Sequence, residues 1–212
     1  MILVTADQRT PEWHAARVGK LTGTAAADML ATIKTGEAAA RRDLRMRLVC
    51  ERLTGQSQED AYINAAMQRG IDKEGDAFAA YEALTGEMAF PVGFVAHDTL
   101  PAGCSPDGEV GNYRGILEAK CPKTATHVGY LRAGKVPAAY LPQITHNLWI
   151  TGAEWCDFFS FDDRLTDALQ CFCIRVKRAD VDLKAYELLV RMFLAEVDKE
   201  VEELTLLSGA AA

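Results

Sequence analysis

Residues 104–122, CSPDGEVGNYRGILEAKCP, place a carboxylate and an ammonium two positions apart inside an otherwise apolar run. No other stretch restricts the fold as tightly. RGILEAKC reads as a strand, with a Pro-Asp-Gly turn upstream of it and Pro122 closing it. Alternate residues of a strand share a face, so Ile116, Glu118 and Lys120 point one way and Leu117, Ala119 and Cys121 the other. Burying either charge alone would cost several kcal/mol. A salt-bridged pair on a half-exposed edge strand is the plain explanation. A cation site is the sharper one. If 102–107 pairs with 114–121 as a hairpin, Asp107, exposed in its turn, comes up to Glu118. Two hard carboxylates and the backbone carbonyl of Ala119 would then form a partial oxygen cage suited to Mg²⁺, which keeps waters in its remaining positions. Lys120 beside it would orient or activate a water, or offset charge on a phosphate.

A further acid comes from a helix expected from Asn64 to Gly86. Its apolar stripe reads Met67, Ile71, Phe78 and Tyr81, and Glu74 occupies a stripe position where an apolar side chain is expected. Metal-assisted phosphodiester cleavage needs several carboxylates around one point, which would account for that acid.

The rest of the chain supplies the scaffold. Thr10-Pro11-Glu12 is a helix start, a cap followed by proline and an acid, and that helix stops at Gly19. Helices are expected near TGTAAADML and over 36–54, 123–133 and 137–151. A long one is expected at about 180–207, with Leu183, Tyr186, Val190, Phe193, Val197, Val201 and Leu204 in register. AFPVGFVAH (89–97), EWCDFFSF and QCFCIRV read as strands. With no repeat and no linker, 212 residues make one domain over 1–212, of α/β class: a mixed central sheet flanked by helices.

Composition narrows function less. The chain is 49% hydrophobic and 25% charged, ordinary for a domain with its own core. No apolar run approaches the ~18 residues of a membrane span, and the first residues do not read as a signal peptide. Six scattered cysteines without a C-x-x-C pair fit reduced thiols in a cytoplasmic protein better than a zinc site. A net charge of −7 argues weakly against a polyanionic partner, yet ARRDLRMR (40–47) holds four arginines, either a solvated helix face or a phosphate-facing patch. There is no G-x4-G-K-[ST] phosphate loop.

The D-x10-E-x-K spacing after a Pro-Asp resembles the core of the PD-(D/E)xK nuclease superfamily. WHAARVGKLTGT (13–24), RGIDKEGDAF (69–78), CSPDG, LEAKCP and LPQITHNLW (141–149) resemble, in order, the blocks of its lambda-exonuclease-like (YqaJ-type) viral recombinases. That resemblance implies a restriction-endonuclease-like core. It also implies Mg²⁺, with Mn²⁺ as a substitute, on Asp107, Glu118 and the Ala119 carbonyl, assisted by Glu74. Lys120 would activate the attacking water and Gln143 would position water or metal. Arg17, Thr24 and Ser105 would grip a terminal 5′-phosphate. The implied reaction is 5′-to-3′ hydrolysis of one strand of linear duplex DNA to mononucleotides, leaving a 3′ single strand. The implied partners are duplex DNA ends, two further copies in a homotrimer, and a phage single-strand annealing protein. The arginines at 41–47 and Lys20 would be duplex contacts. An endonuclease of the same superfamily and a non-catalytic DNA-binding scaffold are the rival readings. Trp13 is expected to pack in the core, and His14, His127 and His146 to be structural.

Overall fold

The computed structural model describes residues 1–59, 65–207 and 209, with the backbone alone at positions 66 and 67. The expected helix start at Asn64 and the Met67 side chain lie outside the described residues. In chain order, β1 (Ile2–Val4) and α1 (Pro11–Arg17) lead to β2 (Leu21–Thr22), a 3₁₀ turn at Gly23–Ala25, α2 (Ala26–Met29) and α3 (Ala39–Thr54). Next come α4 (Ala65–Asp72), α5 (Glu74–Thr85), β3 (Ala89–Pro91), β4 (Phe94–Ala96), β5 (Ala102–Cys104), β6 (Gly108–Val110) and β7 (Gly115–Lys120). The chain continues through α6 (Thr124–Ala133), α7 (Leu141–Thr151), β8 (Trp155–Phe161), β9 (Cys171–Lys177) and α8 (Leu183–Leu207).

The strands form two mixed sheets flanked by helices. The larger runs β3-β6-β7-β8-β9, with β7 and β8 parallel and the other pairs antiparallel. The smaller runs β1-β4-β5-β2, with β2 and β5 parallel. Two expectations change here. The single strand at 89–97 divides at Val92–Gly93, β3 joining the larger sheet and β4 the smaller. The hairpin partner of β7 is β6, not 102–107, because β5 pairs with β4 and β2 instead.

The alternation read from the sequence of β7 holds. Leu117 packs with Phe78, Tyr81 and Phe159, and Ala119 and Cys121 flank that cluster under α5. Ile116 packs with Ile144, Leu148, Cys156 and Phe158 under α7. A third cluster joins α3 and α8 to the smaller sheet through Leu48, Val49, Val95, Cys104, Val190 and Phe193. The apolar register of α8 is buried from Tyr186 to Val197, whereas Leu204 is exposed. α7 serves two clusters, giving Ile144 and Leu148 to one and Trp149 and Ile150 to the other.

Candidate active site

The site forms where β6 stops short of β7. Gly108, the first residue of β6, lies opposite Leu117, so Glu118 to Lys120 run past the end of their partner. Asp107 fills that edge. Its Oδ2 accepts the Ala119 N–H at 2.7 Å and the Lys120 ammonium at 3.3 Å. Lys120 Nζ also donates to Glu118 Oε1. Asp107 thus meets Glu118 and Lys120 as expected, although through a different strand pairing.

Glu118 is 0% exposed, which leaves its charge dependent on donors. α7 provides two of them. Gln143 Nε2 lies 2.5 Å from Glu118 Oε1, and one helical turn later Asn147 Nδ2 lies 3.1 Å from Oε2. The turn that carries Thr24 packs against the same amide. A Cβ on Gly23 would come 2.4 Å from Asn147 Oδ1, so only glycine allows this approach. Burial first, and then repulsion from Asp107, push the Glu118 carboxyl up to about 7, while Lys120 and Gln143 pull the other way. Burial would lower Lys120, but Asp107 and Glu118 outweigh it and hold the ammonium above its ordinary value. Lys120 therefore stays protonated, bridging two carboxylates.

Two close carboxylates that already share a cation, at least one of them raised by burial, are a donor set that fits a hard divalent ion. Asp107 and Glu118 would hold it, together with the Ala119 carbonyl. Among the described residues no three His, Cys, Asp or Glu side chains form a metal-holding group by themselves. Glu74 reaches the site through neighbouring residues. The expected 64–86 helix breaks at Lys73, and Glu74 opens α5 instead of sitting within one stripe. Its Oε2 accepts from Arg9 Nη2 at 2.8 Å. The adjacent Gln8 donates to the carbonyls of Val92 at 2.8 Å and Pro106 at 3.1 Å. The 8–9 segment therefore ties Glu74 to the turn that carries Asp107. Arg9 holds φ 71°, a left-handed conformation that costs a non-glycine residue about 1 kcal/mol.

Trp13 joins two of the expected phosphate residues. The Arg17 guanidinium lies 4.0 Å from its ring centroid, and its Nε1 donates to Ser105 Oγ at 2.9 Å. Trp13 is half-buried and lines this site instead of packing in the core. Thr24 Oγ1 lies 3.3 Å from Thr22 Oγ1. Arg17 is paired with Glu59, which the sequence reading did not single out.

The arginine run on α3 is largely an internal seam. Arg41 grips both oxygens of Glu196 at 2.8 and 2.9 Å, Arg45 bonds Glu37 at 2.8 Å and lies 3.3 Å from Glu200, and Arg42 pairs with Asp43. Only Arg47 turns toward the Arg17 region. His146 and His127 are also engaged: His146 by Tyr186 and Gly103, His127 by Ser160 and Leu169. Gln8, Arg9 and Asn147 were missed in the sequence. Of these, Asn147 carried a usable signal, its i+4 spacing from Gln143.

Comparison with known proteins places this geometry in a family. The model of the YqaJ-like viral recombinase domain matches residues 12–154. An alkaline exonuclease from Laribacter hongkongensis, LHK-Exo, is 42% identical, with a TM-score of 0.84 over 96% of this chain and all of its own. The structure of LHK-Exo in complex with dAMP superposes with a TM-score of 0.85 at the same identity and coverage. A phage-related exonuclease from Haemophilus somnus 129PT is 12% identical, with a TM-score of 0.67 over 87% of this chain and 96% of its own, and shares the fold. No curated protein sequence gives a significant match. Two mixed sheets flanked by helices, an Asp-Glu-Lys edge beside a Gln-bearing helix, and agreement with both the domain model and LHK-Exo lead to one conclusion: the chain belongs to the YqaJ-like viral recombinase domain family.

Proposed function

We propose that the protein is a Mg²⁺-dependent exonuclease that degrades one strand of linear duplex DNA from its 5′ end to mononucleotides, leaving a 3′ single strand for annealing-type recombination. The observation that carries this reading is the convergence of Asp107, Glu118 and Lys120 at the open edge of β7, with Gln143 on Glu118. A binding scaffold has no need of two carboxylates beside DNA phosphate. A bound divalent ion would supply Lewis-acid polarisation and a more acidic water. Lys120 offers a proton-bearing cation at the same point, suited to offset charge on the pentacovalent phosphate. Gln143 and Asn147 keep the Glu118 carboxylate aimed. Arg17, Thr24 and Ser105 supply one cation and two hydroxyls for a terminal phosphate, which favours action from an end over internal cutting. LHK-Exo, 42% identical, is an alkaline exonuclease seen with dAMP, a mononucleotide.

The test is digestion of linear duplex labelled at either end, with and without a 5′-phosphate, in Mg²⁺, Mn²⁺ or chelator. Loss of the 5′ label as mononucleotide, only with metal and faster on phosphorylated ends, is expected. Cutting of covalently closed circles would move the assignment to an endonuclease. Changing Lys120→Ala should lower cleavage by a factor of about 10²–10⁴ while DNA binding persists; full activity in this variant would remove Lys120 from the chemistry. A homotrimer and a single-strand annealing partner belong to the same reading, and light scattering of the purified protein tests the first.

A further inference from the structure

Glu59 lies between two guanidinium groups. Arg17 Nη2 donates to its two oxygens at 3.0 and 3.2 Å, and Arg47 Nη1 donates to Oε1 at 3.1 Å. The arrangement is firmly built. Glu51 on α3, 4% exposed, accepts the Gly19 N–H at 2.8 Å and the Gln58 N–H at 3.1 Å. One buried carboxylate thereby fixes the corner after Arg17 and the residue before Glu59, while Arg47 projects from the preceding turn of the same helix. Arg17, its side chain 10% exposed, lies against Trp13, and its Nε is buried with no hydrogen-bond partner among the described residues. Arg47 and Thr24 line one surface cavity of about 350 Å³, with Asp28 and Asp43 also on its wall.

Two guanidinium forks on one carboxylate exceed what its single charge requires. A phosphate monoester carries about two negative charges and three acceptor oxygens, whereas an internal phosphodiester carries one charge, as Glu59 does. Resting on the terminal-phosphate reading above, we infer that Arg47 is the second guanidinium of that pocket and that Glu59 is the resident carboxylate a 5′-phosphate displaces. Exchange of Glu59 for an internal phosphodiester gains nothing electrostatically; exchange for a terminal monoester gains a charge. Glu59 thus sets a threshold: only a ligand that carries more than its own single charge gains by entering the pocket.

The experiment measures binding of matched duplexes bearing 5′-phosphate or 5′-hydroxyl, at fixed salt and in chelator so that nothing is cut. For Glu59→Gln both duplexes bind more tightly, by about threefold or more, because the same competing charge is gone for each, and the ratio between them stays near that of wild type. Unchanged or weaker binding would make Glu59 a mere strut and overturn the proposal. For Arg47→Gln the phosphate preference falls about tenfold, the scale of one charge-assisted bond; a fully kept preference overturns the role of Arg47. If Arg47→Gln does not fold by circular dichroism, Arg47→Lys decides the point: it keeps the charge but not the fork, and a preference equal to wild type refutes the assignment. A wild type indifferent to the 5′-phosphate defeats the terminal-phosphate reading itself; a discriminating wild type with unaltered variants defeats only this inference.

Discussion

His146 makes the protein acid-sensitive in a calculable way. The ring is fully buried on α7, with Nε2 3.0 Å from the Gly103 carbonyl and Nδ1 2.7 Å from the Tyr186 hydroxyl. A carbonyl only accepts, so Nε2 carries the proton and Nδ1 accepts from Tyr186, and the neutral imidazole is fully satisfied. Burial pushes its pKa from 6.5 to about 4, against a smaller opposing pull from the Gly103 carbonyl. The folded state therefore binds this proton less readily than the unfolded state. Its contribution is whole above pH 6.5 and is lost as pH falls toward 4. At ~1.36 kcal/mol per pH unit the full penalty is about 3 kcal/mol, of which about 1 kcal/mol has already appeared at pH 5.5. Glu118 carries a shift of the opposite sense, raised to about 7, so it stabilises less as pH rises through that value. Subtracting a variant cancels that contribution. His146→Gln keeps an amide able to reach Gly103 and does not titrate. Urea unfolding in chelator at pH 8 and pH 5.5 should show wild type losing about 1 kcal/mol more than the variant across that interval. Parallel losses would refute the buried neutral imidazole.

Three further outcomes follow from the same contacts. Asn147→Ala removes the donor to Glu118 Oε2 and should slow Mg²⁺-dependent cleavage about tenfold at unchanged DNA affinity; Asn147→Asp, which sets a carboxylate against Glu118, should be slower still, and a wild-type rate in either would dismiss the positioning role. Gly103→Ala places a methyl 2.2 Å from Phe94 Cζ and 2.7 Å from the Val95 carbonyl, and calorimetry should show a loss of about 1–3 kcal/mol. Tyr81→Phe strips the 2.7 Å hydroxyl bond to buried Asp157, which Arg175 alone then satisfies; stability should fall by about 1–2 kcal/mol with the cleavage rate intact, since Asp157 lies on the face opposite Glu118.

Local signals were legible and partnerships were not. Thr10 caps α1, its hydroxyl accepting from the Trp13 N–H at 3.3 Å, because a cap needs only its own turn. The alternation of β7 separated Glu118 from Leu117 correctly for the same reason. Period-two patterning reports the faces of a strand but not its sheet, so 89–97 read as one strand although its halves belong to different sheets. The break at Lys73 falls between Gly70 and Gly75, each of which sits inside a helix, so neither glycine marks it. The arginines of α3 read as a free cationic run because Glu196 and Glu200, which neutralise two of them, lie some 150 residues away on α8. At the candidate site, spacing and resemblance singled out Asp107, Glu118, Lys120 and Gln143, and these four residues do meet. Asn147 was within reach of the same reasoning through its i+4 spacing from Gln143, whereas Glu59 becomes visible only once α3 is placed.

One helix, α7, braces both sheets while its Gln143 and Asn147 hold Glu118 at the open edge of β7. The two halves of this molecule are therefore not interchangeable modules. A chimaera that grafts the smaller sheet of a distant relative onto the larger sheet of this one would join correctly and still misaim Glu118, unless α7 and both of its packing surfaces travelled together.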